Sequence, residues 1–400
     1  MRASQVVAVG AAAVAFMGVA VGCSSNDSDS DSSSSTATKT VKVELTNDGC
    51  KVTPDKVDAG AITFEINNTN AAAVSEVELL LDGKILAERE NIAPGMAATS
   101  FSHKLDGGTY QLYCPGATTE KTAFTVTGKA AQASGTVVDL LKASAEEYKQ
   151  YVITQVNNLA EYTTPLVAAV KANNVADAKS GYVKARPYYE RIEPIAGSFC
   201  ANGVADCSTD NAVNLDFALD ARPDALGPGD KWEGFHVIEK QLWVSNNLEG
   251  MVPIADTLQK NVDDLKRLVN EPSFSVKPAD IVNGAGDLLD EVSTSKLTGE
   301  EEAYSHIDFV DMQANIEGSQ QAFEIVKPAL TQIDPQLTTT IQNTFDKVNT
   351  LIDSFRDPNA AGGFKQFDQV TEAQKREMAA AIIAVKDPLS QAGGKIAAAS

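Results

Sequence analysis

Hydrophobic patterning changes its period once along this chain, between residues 128 and 136, and that change demands two differently built parts. Before it, Val41-Lys42-Val43-Glu44-Leu45, Ile62-Thr63-Phe64-Glu65-Ile66, Glu76-Val77-Glu78-Leu79, Tyr110-Gln111-Leu112-Tyr113 and Ala123-Phe124-Thr125-Val126 alternate in steps of two. Successive side chains of a strand point to opposite faces, so each run can bury one face and wet the other. Asp-Gly, Pro-Gly and Gly-Gly pairs punctuate the runs as turns. Several short strands of this kind predict a small β-sandwich over residues 41–128. From Thr136 the spacing becomes three and four: Tyr148, Val152, Val156, Leu159, Tyr162 and Leu166, then Ile254, Leu258, Val262 and Leu265. Leu337, Ile341, Phe345, Val348, Ile352 and Phe355 follow, and Met378, Ile382, Val385 and Leu389 close the series. These are the apolar faces of amphipathic helices in a bundle, here over residues 136–400. The fold class is multidomain, β followed by all-α.

The N-terminus has the form of an export signal. Arg2 precedes a short run of small and apolar residues from Val6 to Val21, and the run ends at Ala20-Val21-Gly22-Cys23. This predicts a signal peptide over residues 1–22 with a lipobox-like cleavage site and lipidation of Cys23. Ser24 to Thr40 is almost entirely Ser, Asp and Thr. Such a segment cannot bury a core and is expected to be a flexible tether.

Four cysteines remain, Cys50, Cys114, Cys200 and Cys207, an even number suited to an oxidising compartment. Cys200 and Cys207 flank a polar loop, which predicts a local disulfide. Cys50 and Cys114 are far apart and could either bridge or serve as ligands. The net charge of −21 argues against nucleic-acid binding, which needs clustered Lys and Arg, and is compatible with cation capture.

One stretch carries metal-ligating chemistry. Gly234-Phe235-His236-Val237-Ile238-Glu239-Lys240-Gln241-Leu242-Trp243 reads as helix, and residues three apart lie on one helical face. His236 and Glu239 can therefore point an imidazole and a carboxylate at one cation, the alternative being a solvated or hydrogen-bonded histidine.

The decapeptide is similar to the GFHxIE signature of imelysin-like proteins, a family that includes iron-uptake lipoproteins. Three more segments keep the family's order. Ala185-Arg186-Pro187-Tyr188-Tyr189-Glu190-Arg191-Ile192-Glu193 resembles its ARxxYExIE helix. Leu215-Asp216 with Asp220-Ala221-Arg222 resembles its LD…DAR segment. The run from Glu291 to Glu301, with Tyr304-Ser305-His306-Ile307-Asp308, Asp311, Gln313-Ala314-Asn315 and Gly318, resembles a further one. The chain is identified on these residues as a member of the imelysin-like family. The resemblance implies a helical site made of Glu190, Glu193, His236 and Glu239, with an aspartate from Asp216 or Asp220. Glu190 and Glu193 are expected one turn apart on a single helix. His306, with Asp308, completes the site, orients a ligand from behind or caps a helix.

The resemblance extends to the β-domain. Gly108-Thr109-Tyr110-Gln111-Leu112-Tyr113-Cys114-Pro115-Gly116 looks like the cupredoxin strand that ends in the metal-site Cys. A blue-copper site also needs two His, and Ala117-Thr118-Thr119-Glu120 supplies none, while Glu76 and Glu78 stand where the first His would be. The implied alternatives are a divergent metal site of Cys50, Glu76 and Cys114, or a Cys50–Cys114 disulfide with solvated glutamates. His103 and Met96 read as structural.

In function, the resemblance implies a lipid-anchored iron carrier on the outer face of the cell membrane. It would capture iron, as Fe(III) or Fe(II), and pass it to a membrane iron permease, in a system that includes a secreted haem peroxidase. Copper and zinc are the other metals to consider. Two other classes compete: a metallopeptidase, which needs two His at i and i+4 and finds one in HVIE, and a copper redox protein acting on iron.

Overall fold

The computed structural model describes residues 39–81, 84–89, 92–95, 98–130, 135–201 and 213–400. The predicted signal peptide, Cys23, the tether, Met96 and Cys207 lie outside the described residues.

Among the described residues, nine strands form the first domain: β1 (Lys39–Thr46), β2 (Gly49–Thr53), β3 (Lys56–Asp58), β4 (Gly60–Asn67), β5 (Val77–Leu81), β6 (Lys84–Arg89), β7 (Thr99–Leu105), β8 (Gly108–Tyr113) and β9 (Lys121–Thr127). They make two sheets, ordered β2-β1-β4-β7 and β3-β9-β8-β5-β6. β1 runs parallel to β4 and β3 parallel to β9, and the other pairings are antiparallel. Four of the five period-two runs alternate as strand physics requires, whereas in β5 Val77, Glu78, Leu79 and Leu80 are all buried. Val41, Val43 and Leu45 are buried between exposed or half-buried Lys42 and Glu44, and Ile62, Phe64 and Ile66 alternate likewise. Phe64 sits at the centre, 5.1 Å from Phe101 and 5.2 Å from Phe124, ring centre to ring centre. β2 and β3 are short and mostly polar, so alternation does not reveal them.

Among the described residues, ten α-helices follow: α1 (Thr136–Lys171), α2 (Val175–Glu190), α3 (Glu193–Gly197), α4 (Leu215–Asp220), α5 (Phe235–Lys240), α6 (Val252–Val269), α7 (Pro278–Thr294), α8 (Asp308–Ile333), α9 (Pro335–Asp353) and α10 (Glu372–Ala399). The three- and four-spaced positions read from the sequence are buried, including Tyr148, Val152, Val156 and Leu159 of α1 and Leu258, Val262 and Leu265 of α6, except Tyr162 and Ile254, which are half-buried against the core. The β-domain rests on this bundle through β6 and β7. Asn283 donates from Nδ2 to Ser102 O at 2.5 Å, and Arg89 is ion-paired with Asp287. His103, fully buried in β7, has Nδ1 2.8 Å from Asp280 and Nε2 2.8 Å from Lys277 Nζ, so it serves the contact between the domains.

Candidate metal centre

Charged side chains belong in water unless paired, because moving an isolated ion into a protein interior costs several kcal/mol. The helical domain nevertheless buries eight carboxylates in one region: Glu190, Glu193, Asp220, Glu239, Glu301, Glu302, Asp308 and Asp311. Two fully buried cations, Arg186 and Lys296, and the single imidazole of His236 stand among them.

Local structure aims each group. α2 places Arg186 and Glu190 four residues apart on one face, and they pair at 2.5 Å. The helix expected to continue through Glu193 is broken at Arg191–Ile192, so Glu193 opens α3 instead. Both glutamates still converge, because Lys296 Nζ reaches Glu190 Oε2 at 2.7 Å and Glu193 Oε2 at 3.0 Å. The backbones of Phe199, Ala201, Val213 and Leu215 pair across residues 202–212 and hold α3 against α4. Asn214 caps α4 by accepting from Phe217 N. Asp216 and Asp220 then lie a turn apart on α4, the first bonded by Tyr189 OH and the second by Arg186.

Gly234 makes the histidine helix fit. Its φ is +91°, and a Cβ there would lie 2.2 Å from Leu219 O, so only glycine lets α5 start against α4. Gly318 does the same for α8, where a Cβ would lie 2.4 Å from Arg191 O. After α5 the chain takes a π turn over Gln241–Ser245.

His236 is bracketed. Nδ1 is 3.1 Å from Glu239 Oε2 and 3.5 Å from Tyr182 OH. Nε2 faces Asp220 Oδ1 at 3.3 Å and Glu301 Oε1 at 3.8 Å without a hydrogen bond. Asp220, His236 and Glu301 offer ligand atoms all within 4.8 Å of one another, as do Glu190, Glu301 and Asp311. Arg186 fills the space between, touching Asp220, Glu301 at 2.6 Å, Glu302 at 3.3 Å and Asp311 at 3.1 Å.

The electrostatics divide the carboxylates. Burial raises Asp220 and Glu239, but Arg186 and His236 outweigh it for Asp220, and the His236 bond and charge do so for Glu239, holding both below the usual carboxylate range. Burial also raises Glu301, yet Lys296 and Arg222 bring it down to about 2. Burial wins elsewhere: Glu190 rises to about 8 and Asp308 to about 7, while Glu193 and Glu302 stand well above the ordinary value. For His236 burial lowers the imidazole, and the Asp220 charge overcomes it and lifts it to about 10. A cluster with this surplus of ionisable oxygen, one imidazole and protons filling the deficit of positive charge is chemically suited to a hard or borderline cation.

Several expected residues are placed differently. His306 is not in the cluster: its backbone adopts φ +59°, donates to Glu302 O and accepts from Phe367 N, and its ring makes no hydrogen bond or ion pair among the described residues. Asp308 accepts from Glu302 N and opens α8. Asp216 faces outward with Glu193 into a cavity of about 50 Å³ between the domains, lined also by Glu88, Arg89, Asp287, Asp290 and Glu291. In the β-domain Cys50 and Cys114 form a disulfide, with Cα atoms 5.9 Å apart, so their sulfurs are not free as ligands. Glu76 groups instead with Glu78 and Glu88, and burial, then the Glu78 carboxylate, and further Asp216 push its pKa well above the ordinary carboxylate value. Cys200 is disulfide-bonded, and its expected partner Cys207 lies outside the described residues.

Arg186, Lys296, Glu301, Glu302 and Asp311 were not singled out as site residues from the sequence. The i, i+4 spacing of Arg186 and Glu190 and the run Glu300-Glu301-Glu302 were the signals available.

Comparison with known proteins gives this architecture a class. The family model for imelysin matches residues 144–392, and that for a cupredoxin-like domain matches residues 12–126. The chain belongs to the imelysin family, with a cupredoxin-like domain ahead of the helices. It is of EfeO type: it is 35% identical over 361 residues, 88% of this chain and 90% of the relative, to the iron uptake system component EfeO of Escherichia coli O1:K1 / APEC. EfeO of Escherichia coli strain K12 and that of Shigella flexneri are each 34% identical to it over 361 residues, with the same coverage.

Proposed function

We propose that this protein is a lipid-anchored, extracytoplasmic iron-binding protein of an iron uptake system, which captures iron in its helical domain and delivers it to a membrane iron permease. One observation carries the reading: a surplus of buried carboxylates gathered around His236 in a chain of EfeO type. Iron is cargo here. The acidic protein concentrates cations near its surface, and the buried cluster exchanges protons for the ion. Asp220, Glu239 and Glu301 lie within 4 Å of the imidazole, and Glu190 and Asp311 group with Glu301 beside them.

A carrier rather than a hydrolase fits the histidine inventory. A zincin helix presents two imidazoles one turn apart, and the other two histidines of this chain serve an interdomain contact and a backbone turn. Cys23 would hold the protein to the membrane, and a secreted haem peroxidase of the same system would be a functional partner.

Iron titration of the purified protein tests the central claim. Wild type should bind iron tightly, and His236→Ala with Asp220→Asn should lose that binding while keeping its helical circular dichroism. Unaltered binding in the double variant would refute the site. Cys23→Ser should move the protein from the membrane fraction to the soluble one, and a variant that still sediments with membranes would exclude the lipid anchor.

A further inference from the structure

A histidine and a glutamate three residues apart on a helix can be used in two ways. They can share one cation, or the carboxylate can hold one ring nitrogen while the cation sits on the other. Donors around an octahedral ion with bonds of about 2.1 Å stand roughly 3 Å apart, so the 3.1 Å between His236 Nδ1 and Glu239 Oε2 suits either use. Spacing does not decide.

The partners of Glu239 do. Its Oε1 accepts from two backbone amides, Tyr304 N at 2.8 Å and Ser305 N at 2.7 Å. Those donors belong to the loop before α8 and fix the carboxylate in place, with Oε2 left directed at Nδ1. An acceptor held there keeps a proton on Nδ1 and turns Nε2 outward, the usual arrangement behind a metal-ligating histidine. Nε2 is fully buried, has no hydrogen-bond partner and faces Asp220 and Glu301. The same two carboxylates hold Arg186, Nη1 on Asp220 and Nη2 on Glu301, so a cation's worth of positive charge already stands beside Nε2.

We propose that the cation is ligated by His236 Nε2, Asp220 and Glu301, and that Glu239 is a positioning residue which holds Nδ1–H and does not ligate. This rests on the reading of the helical cluster as the iron site. On loading, the metal takes the Nε2 lone pair, any proton there leaves to solvent, and Arg186 withdraws toward Glu190 and Asp311, which it already contacts.

Nitrogen NMR of the whole protein, labelled with ¹⁵N in its three histidines and loaded with Ga(III) as a diamagnetic ferric probe, decides between the two uses. The His236 signal is identified by its loss in His236→Gln. The expected spectrum has a metal-shifted Nε2 and a retained Nδ1–H, and a metal-shifted Nδ1 overturns the proposal. Fe(III) affinity gives the second arm. Glu239→Gln should weaken binding about 10–100-fold with unchanged stoichiometry, as loss of an outer partner does, and Asp220→Asn and Glu301→Gln should weaken it more. Abolition by Glu239→Gln beside a silent Glu301→Gln also overturns it. A wild-type protein that takes up neither ion brings down the carrier reading and this inference together, whereas uptake on Nδ1 spares the carrier.

Discussion

Arg186 and Glu190 pair at 2.5 Å with both side chains sealed from water. The pair is the midpoint of a network in which Arg186 also meets Asp220, Glu301, Glu302 and Asp311, and Lys296 meets Glu190, Glu193 and Glu301. These carboxylates are collected before any metal arrives because two internal cations compensate them.

Arg186→Leu should therefore destabilise the metal-free protein by about 3–5 kcal/mol, the cost of leaving a buried partner uncompensated. For a domain of this size each kcal/mol is worth roughly 2–4 °C in melting temperature. Calorimetry measures it, and a variant as stable as wild type would show that the network is not held by this residue. A saturating metal should recover part of the loss, since it stabilises only the folded state.

The protons in the cluster predict a pH dependence. Glu190 at about 8, Asp308 at about 7 and His236 at about 10 hold protons that a cation must displace. Affinity for a Zn(II) probe should therefore rise between pH 6 and pH 8. An affinity that is flat or falls over this range contradicts the proton exchange.

The same shifts set stability. Each of these groups has a folded value above its unfolded one, so its contribution is complete below the unfolded value and is lost as pH rises through the folded value. Asp220, Glu239 and Glu301, held low, contribute fully across this window. The melting temperature of the metal-free protein should fall from pH 6 to pH 9, and bound metal should flatten the fall.

In the β-domain the Cys50–Cys114 disulfide closes a stretch of 64 residues. Replacing both cysteines by serine should cost about 4 kcal/mol by loop-closure entropy, read as a lowered denaturation midpoint. With both sulfurs bonded, Cu(II) added to the oxidised protein should give no intense copper–thiolate absorption. A strong blue colour would assign the domain to electron transfer.

Gly234→Ala probes the seat of the histidine helix. The added Cβ meets Leu219 O at 2.2 Å and the backbone is left-handed, so α5 must move away from α4. Iron affinity should drop at least about tenfold although Gly234 is no ligand, since small misplacements of a site are costly. Unchanged affinity would mean that α5 tolerates the shift.

Local chemistry was legible in the chain. Strand and helix periods are relations between residues two, three or four apart, so the sequence by itself determined where the sandwich ends and the bundle begins. It also determined which faces are apolar and that His236 and Glu239 share a side of one helix. Tertiary structure decided the rest. Arg186 meets Asp220 across 34 residues, Glu301 across 115 and Asp311 across 125. Which carboxylates are compensated, that Asp220 rather than Asp216 faces the imidazole, that His306 stands outside the ligand groups and that Cys50 meets Cys114 all depend on how helices and sheets pack. Packing is set by the whole core at once, and no local spacing encodes it. The two ring nitrogens of His236 show the division most plainly: one is placed by a neighbour three residues along its own helix, and the other by side chains that only the fold brings near.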